Sequence, residues 1–231
     1  MKKRTIIIGD IHGCYEELKL LLARLNASSL DRIISVGDVV DRGPHSLKCL
    51  ELLDLFNAEI VLGNHEEKLL RYHKHEQTRL TTGKKNPMTL GKHAQASYDA
   101  VATSYIRDFA NYPLTISFEH QSITYTVIHG GVLPGARDPI KDTKLKWAIR
   151  MRYVDKPTQR KLIHLNDTIT PQIFWADGYE ALHPSKSHIV YGHSVTSSPY
   201  EPRIRANSTG LDTACVFGGK LSALVLHPEQ E

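Results

Sequence analysis

The sequence predicts a layered α/β fold built on parallel βαβ connections, and three observations predict it. Short apolar or β-branched runs lie at Thr5 to Ile8, Arg32 to Val36 and Ile60 to Leu62. Each stops at a glycine-led turn, and a helical pattern follows each turn. Strand, turn and helix in succession require crossover connections, which put helices on the faces of a parallel sheet. The 231 residues, 41% apolar and 23% charged, suit one domain, 1–231, with a core of ordinary size.

After the first run, Leu18, Leu21, Leu22 and Leu25 recur on one helical face. Glu16 and Glu17 stand near its start, where the helix dipole favours negative charge. After the second run, Pro44 opens a helix carrying Leu47, Leu50, Leu53 and Phe56. A third helix begins near Glu66. Residues 77–92 carry Gly83, Pro87 and Gly91 without periodicity and predict a loop or lid. Tyr98, Val101, Ala102, Tyr105, Ile106 and Phe109 predict one more helix. Leu114 to Phe118 and Ser122 to His129 predict a hairpin, and Ser187 to Tyr191 and Leu221 to Leu226 further strands. Residues 134–175, with Pro134, Pro139, Pro157 and Pro171, show no readable period.

Charge and cysteine usage narrow the function classes. Lys and Arg exceed Asp and Glu by 29 − 25 = 4, too little to compel a nucleic-acid or membrane partner. Lys2, Lys3 and Arg4 precede an apolar run far shorter than a signal peptide's, and no segment approaches the roughly 18 apolar residues of a membrane span. Cys14, Cys49 and Cys215 are odd in number and widely spaced, so they indicate neither a disulfide framework nor a thiolate zinc site. A reducing compartment, the cytoplasm, fits them. His73 and His75 read as solvated helix positions, and Lys84, Lys85, Lys92, Lys144, Lys146, Lys156, Arg160 and Lys161 as scattered surface charge or a polyanion-binding rim.

The chemistry sits in the turns. Gly9-Asp10-Ile11-His12-Gly13, Gly37-Asp38-Val39-Val40-Asp41-Arg42-Gly43 and Gly63-Asn64-His65-Glu66 each place metal-ligand types at a strand end. Val127-Ile128-His129-Gly130-Gly131 and Val190-Tyr191-Gly192-His193-Ser194 do so again. Asp10 and His12 can share one cation, and a carboxylate with an imidazole suits Mn, Fe or Zn better than Ca or Mg. Asp38 can bridge to a second cation, for which Asn64, His129 and His193 are candidate ligands. Two cations about 3.5–4 Å apart clamp a phosphoryl group and acidify a water for in-line displacement. His65 can protonate the departing oxygen if Asp41 fixes its tautomer. Arg42 offers a planar fork for phosphate, and Arg150 or Arg152 a second one, the choice between them open.

These five segments, in this order and at strand ends, resemble the signature of the calcineurin-like metallophosphoesterases, in their phosphoprotein-phosphatase branch. The resemblance implies a two-layered β-sandwich flanked by helices, a four-layer α/β/β/α arrangement. It implies two divalent transition-metal ions, with Mn expected and Fe, Zn, Co or Ni acceptable. Asp10, His12 and Asp38 would hold one, and Asp38, Asn64, His129 and His193 the other. It also implies His65 as general acid paired with Asp41, and Arg42 as a phosphate clamp. The run from Gly210 to Leu224 resembles the tail of bacterial diadenosine-tetraphosphatase-like enzymes, although Ala214 stands where glycine is common. Eukaryotic Ser/Thr phosphatases usually have arginine where this chain has Leu62.

The expected activity is therefore metal-dependent hydrolysis of a phosphoanhydride or phosphomonoester. A dinucleoside polyphosphate such as diadenosine tetraphosphate is the first candidate substrate. A Ser/Thr or dual-specificity protein phosphatase is the alternative, and a non-catalytic metal- or RNA-binding module the reading from another class. Neither a membrane nor a stable nucleic-acid partner is expected.

Overall fold

The structure, a computed structural model, describes residues 4–164, 166–183, 187–195 and 200–228. The basic pair Lys2 and Lys3 lies outside them. One sheet contains β1 (Thr5–Ile8), β2 (Arg32–Ser35), β3 (Glu59–Ile60) and, from the far end of the chain, β12 (Ala223–Leu226). Its order is β12-β1-β2-β3. The pairs β1·β2 and β2·β3 are parallel, and β12 closes the edge antiparallel to β1, with Thr5 opposite Leu226. Helices α1 (Tyr15–Arg24) and α2 (Ser46–Leu55) make the two crossovers.

Side-chain alternation explains why this sheet has a helix on one face and a second sheet on the other. Ile6, Ile8 and Ile33 point to the helical side, where they pack with Leu18, Leu50 and Leu53. Ile7 and Ile34 point the other way and join Val127, Val190 and Leu211 between the sheets. A strand apolar on both faces is thus read correctly as buried on both faces.

The second sheet has the order β10-β11-β9-β5-β4. Its strands are β4 (Thr115–His120), β5 (Ile123–Ile128), β9 (Ser187–Tyr191), β10 (Arg203–Ile204) and β11 (Ser208–Gly210). Strands β4 and β5 form the expected antiparallel hairpin, and β5 runs parallel to β9 with Ile128 opposite Tyr191. Its outer face packs Ile128, Ile189 and Tyr191 against Trp175 and Tyr179 of α7 (Trp175–Leu182).

The remaining helices are α3 (Asn64–Thr82), α4 (Lys92–Ala100), α5 (Thr103–Asp108) and α6 (Leu145–Ala148). Two expectations require correction here. The loop predicted over 77–92 begins only at Gly83, which ends α3 in the left-handed conformation at φ 74°. Residues 77–82 are wholly exposed, so no apolar stripe marks them, yet Thr78, Thr81 and Thr82 return hydroxyl hydrogen bonds to carbonyls of the same helix. The single helix expected from Tyr98 to Phe109 is broken, because Val101 takes an extended conformation between α4 and α5. The unreadable stretch 134–175 contains α6 and a small third sheet, β7-β6-β8. Its strands β6 (Tyr153–Asp155), β7 (Leu162–Ile163) and β8 (Gln172–Phe174) are too short to carry a period. Among the described residues no helix is long and apolar enough to cross a membrane.

Candidate metal and phosphate site

The two sheets deliver their strand ends to one place. Asp10 follows β1, Asp38 follows β2, Asn64 follows β3, His129 follows β5, and His193 follows β9. The turns that carry them are tight. His12, Asp38, Asp41, Arg42 and His193 all have φ between 48° and 70°, in the left-handed region. Such backbone costs about 1–3 kcal/mol per residue and persists only where surrounding contacts impose it.

Those contacts are present. Glu66, fully buried, accepts backbone hydrogen bonds from Asp38, Val39 and Val40 at 2.9, 2.8 and 3.1 Å. Gly63 lets this loop approach: a Cβ there would lie 2.3 Å from the Asp38 amide nitrogen. The amide of His65 donates to Asp38 Oδ1 at 3.0 Å. The amide of His193 donates to both oxygens of Asp10 at 3.1 Å, and a Cβ on Gly192 would lie 2.1 Å from Asp10 Oδ1.

Asp38 is the geometric centre. Its Oδ2 lies 3.3 Å from His129 Nε2, 3.5 Å from His12 Nε2 and 3.8 Å from His65 Nε2. Two donor groups meet at it: His12, Asp38 and His65 in one, and Asp38, His129 and His193 in the other, each with ligand atoms within 4.8 Å of one another. His12 Nδ1 donates to the Val40 carbonyl at 3.0 Å and His129 Nδ1 to the Val36 carbonyl at 2.9 Å. The first bond assigns the His12 tautomer and leaves its Nε2 lone pair facing Asp38, whereas His129 Nε2 lies against two oxygens, Asp38 Oδ2 at 3.3 Å and Asn64 Oδ1 at 3.0 Å. Burial pushes His12 down to about 4 against the pull of Asp38, so the ring is neutral. A neutral lone pair facing a carboxylate oxygen at 3.5 Å is an arrangement that a shared cation satisfies.

Further titration shifts follow the same geometry. Burial would raise Asp38, but the imidazoles of His129, His65 and His12 hold its carboxyl well below the usual range. His129 is pushed up to about 9, because Asp38 and the other buried carboxylates outweigh its burial. Burial, reinforced by the charge of His129, takes His193 down to about 2. Asp10 is raised well above an ordinary carboxyl by burial and by Asp212. So many buried oxygen and nitrogen donors, with so few fixed cations among them, fit a pair of divalent metals.

Beside this cluster, His65 Nδ1 and Asp41 Oδ2 are 2.8 Å apart, and Lys68 Nζ is 3.2 Å from the same oxygen. Burial opposes it, yet the His65 hydrogen bond keeps Asp41 below its ordinary value. Arg42 is exposed, with one guanidinium nitrogen 3.5 Å from His65 Nε2 and its plane 5.0 Å over the Phe217 ring. Arg150 is engaged elsewhere, in a 2.6 Å ion pair with Glu67. Arg152 has no such partner among the described residues. Both line a cleft of about 640 Å³ that reaches Asn64 and His193 and is also lined by Lys146, Trp147 and Lys161.

Sequence reasoning missed the supporting residues. Glu66 stood in a quoted motif without a role, although an acid two residues after a ligand in a strand-to-helix turn is a signal. Lys68 is visible as the i+3 neighbour of His65 on α3. Asp212 comes from the C-terminal run and is buried at 7% exposure, close enough to raise Asp10. His73 is a correction. It is buried and within 2.9 Å of the Tyr98 hydroxyl, because Tyr98 of α4 packs over that position of α3.

Known proteins resemble the chain over almost its whole length. A family model described as calcineurin-like phosphoesterase matches residues 3–221. The chain is similar to a bis(5'-nucleosyl)-tetraphosphatase PrpE (asymmetrical) of Anoxybacillus flavithermus, 30% identical over 97% of this chain and 91% of that protein. The protein of the same name from Oceanobacillus iheyensis is 31% identical over 97% and 89%. A crystal structure described as a "putative diadenosine tetraphosphatase" superposes with a TM-score of 0.75 at 27% identity, covering 97% of this chain and 90% of the other.

Proposed function

The chain belongs to the calcineurin-like phosphoesterase family, and from that premise we propose that it hydrolyses the phosphoanhydride chain of a dinucleoside polyphosphate, with diadenosine tetraphosphate as the reference substrate. Members of this family are hydrolases of phosphate esters and anhydrides and use divalent metal ions. The names of the relatives support the substrate. One observation carries the reading: Asp38 stands at the junction of two donor groups, beside a cleft lined by cationic side chains and Trp147.

In this reading Asp10, His12 and Asp38 would hold one cation, and Asp38, Asn64, His129 and His193 the other. Asp10 and Asn64 are added to the two donor groups that meet at Asp38, and His65 is set apart from the first of them as the acid. Oxygen and imidazole donors without thiolate suit manganese, with iron or zinc close behind. When bound, the pair supplies Lewis acidity and a nucleophilic water. His65 Nε2, facing the cluster, gives its proton to the departing phosphate oxygen. Asp41 accepts from Nδ1–H, so the proton given up is the second one, on Nε2, and the ring returns to its Nδ1–H tautomer. Arg42 takes a non-bridging phosphate oxygen, its fork steadied on Phe217. Arg152 extends along the phosphate chain, whereas Arg150 positions α3 through Glu67.

The whole chain acts as one unit, since Asp10 near its start and Asp212 near its end serve the same site. Its place is a reducing, nucleotide-containing compartment, the cytoplasm, where three free thiols persist. The test is kcat/KM with manganese added, on diadenosine tetraphosphate and on a phosphopeptide. Preference for the dinucleotide is expected, and a tenfold advantage for the phosphopeptide would reverse the assignment to that of a protein phosphatase.

A further inference from the structure

Far from one another in the chain, Cys14 and Cys215 meet in the fold. Their sulfurs and a carboxylate oxygen of Glu17 lie within 4.8 Å of one another. We propose that Cys14, Cys215 and Glu17 form a separate site for a thiophilic divalent cation of the zinc or cadmium class.

The placement follows from the elements. Cys14 is the N-cap of α1 and Glu17 stands three residues on, so the two side chains share one face of the first turn. No side-chain cap hydrogen bond occupies Cys14, whose sulfur lies 3.9 Å from the His12 carbonyl and faces the Cys215 thiol. Cys215 begins the short 3-10 turn Cys215–Phe217 and reaches across from the C-terminal run. Zinc bonds of roughly 2.3 Å to sulfur and 2.0–2.2 Å to oxygen define a tetrahedron whose edges are roughly 3.5–3.8 Å. Donors within 4.8 Å need only rotamer adjustment to reach it. Cys14 is buried, Cys215 half-buried and Glu17 exposed, so the site opens to solvent on the Glu17 side and water takes the fourth position. Two sulfurs distinguish it from the oxygen and nitrogen donors around Asp38 and select a softer ion.

The site also has a mechanical consequence. A cation there ties α1 to the turn that carries Phe217, the ring under Arg42. Occupancy therefore steadies a phosphate-binding arginine without touching substrate.

Titration of the manganese-loaded protein with cadmium chloride alone, followed by the ultraviolet thiolate-to-cadmium charge-transfer band, tests this. The band should saturate at one cadmium per chain and vanish in Cys215→Ser, with Glu17→Gln weakening the affinity about tenfold. Cadmium should raise the melting temperature of the wild type and not of Cys215→Ser. Cys215 lies on a surface turn, so that variant keeps the test alive if Cys14→Ser does not fold. Absence of the band, its survival in Cys215→Ser, or its loss only in Cys49→Ser would overturn the proposal.

Discussion

His65 is fixed on both ring nitrogens: Asp41 takes one at 2.8 Å, and Arg42 and Asp38 face the other at 3.5 and 3.8 Å. A group so held, yet with no place in the proposed ligand sets, should be separable from them. His65→Asn is expected to keep both metals and lose turnover by about 10²–10⁴-fold; metal loss in elemental analysis of that variant would make His65 a ligand instead. The two cleft arginines should also separate. Arg152→Ala is expected to raise KM for a dinucleotide roughly tenfold while sparing a small aryl phosphate, because only the longer substrate reaches it. Arg150→Ala, which breaks an ion pair with Glu67, should change KM less. At this scale the sequence was informative wherever a ligand type stood at a strand end. It was silent on partners chosen by folding, such as Glu67 for Arg150, which are 83 positions apart.

Among elements, the turn after β3 and the start of α3 do most to shape the site. Three backbone amides of the Asp38 loop end on Glu66, and Gly63 provides the clearance. Gly63→Ala would drive a Cβ to 2.3 Å from the Asp38 amide and from its carboxylate oxygen, neither of which can yield without moving the loop. The variant is expected to lose metal affinity together with activity, measured by equilibrium dialysis; unaltered binding would mean that the loop adjusts freely. The elements that bear the motifs were legible because a buried strand and an amphipathic helix each impose a period on the sequence. The end of α3 was not, since residues 77–82 are exposed throughout and held by local hydroxyl and ion-pair contacts. Nor was the sheet of β6, β7 and β8, whose strands of two or three residues are defined by pairing alone.

Across the molecule, the site joins two sheets that otherwise meet through apolar packing of residues such as Ile7, Ile34, Val127 and Val190. His129 from the second sheet reaches the Val36 carbonyl and Asp38 of the first. Metal bound there should couple to global stability. At a free concentration one hundred times Kd, binding stabilises by about 2.7 kcal/mol, so chelation is expected to lower the melting temperature by roughly 5–10 °C. An unchanged melting curve after complete metal removal would show that the two sheets do not depend on the site. The sandwich itself could be anticipated only through the resemblance of the five motifs. Periodicity alone gave a parallel sheet and could not reveal that β5 and β9 belong to a second one.

The most direct measurement is elemental analysis of the purified protein alongside its turnover, for the wild type and for Asp38→Asn. Two transition-metal ions per active wild-type chain are expected, with both weakened and turnover lost in the variant, because Asp38 is the one side chain common to the two donor groups. Full hydrolysis by metal-free protein, or two tightly held ions in Asp38→Asn, would contradict the account.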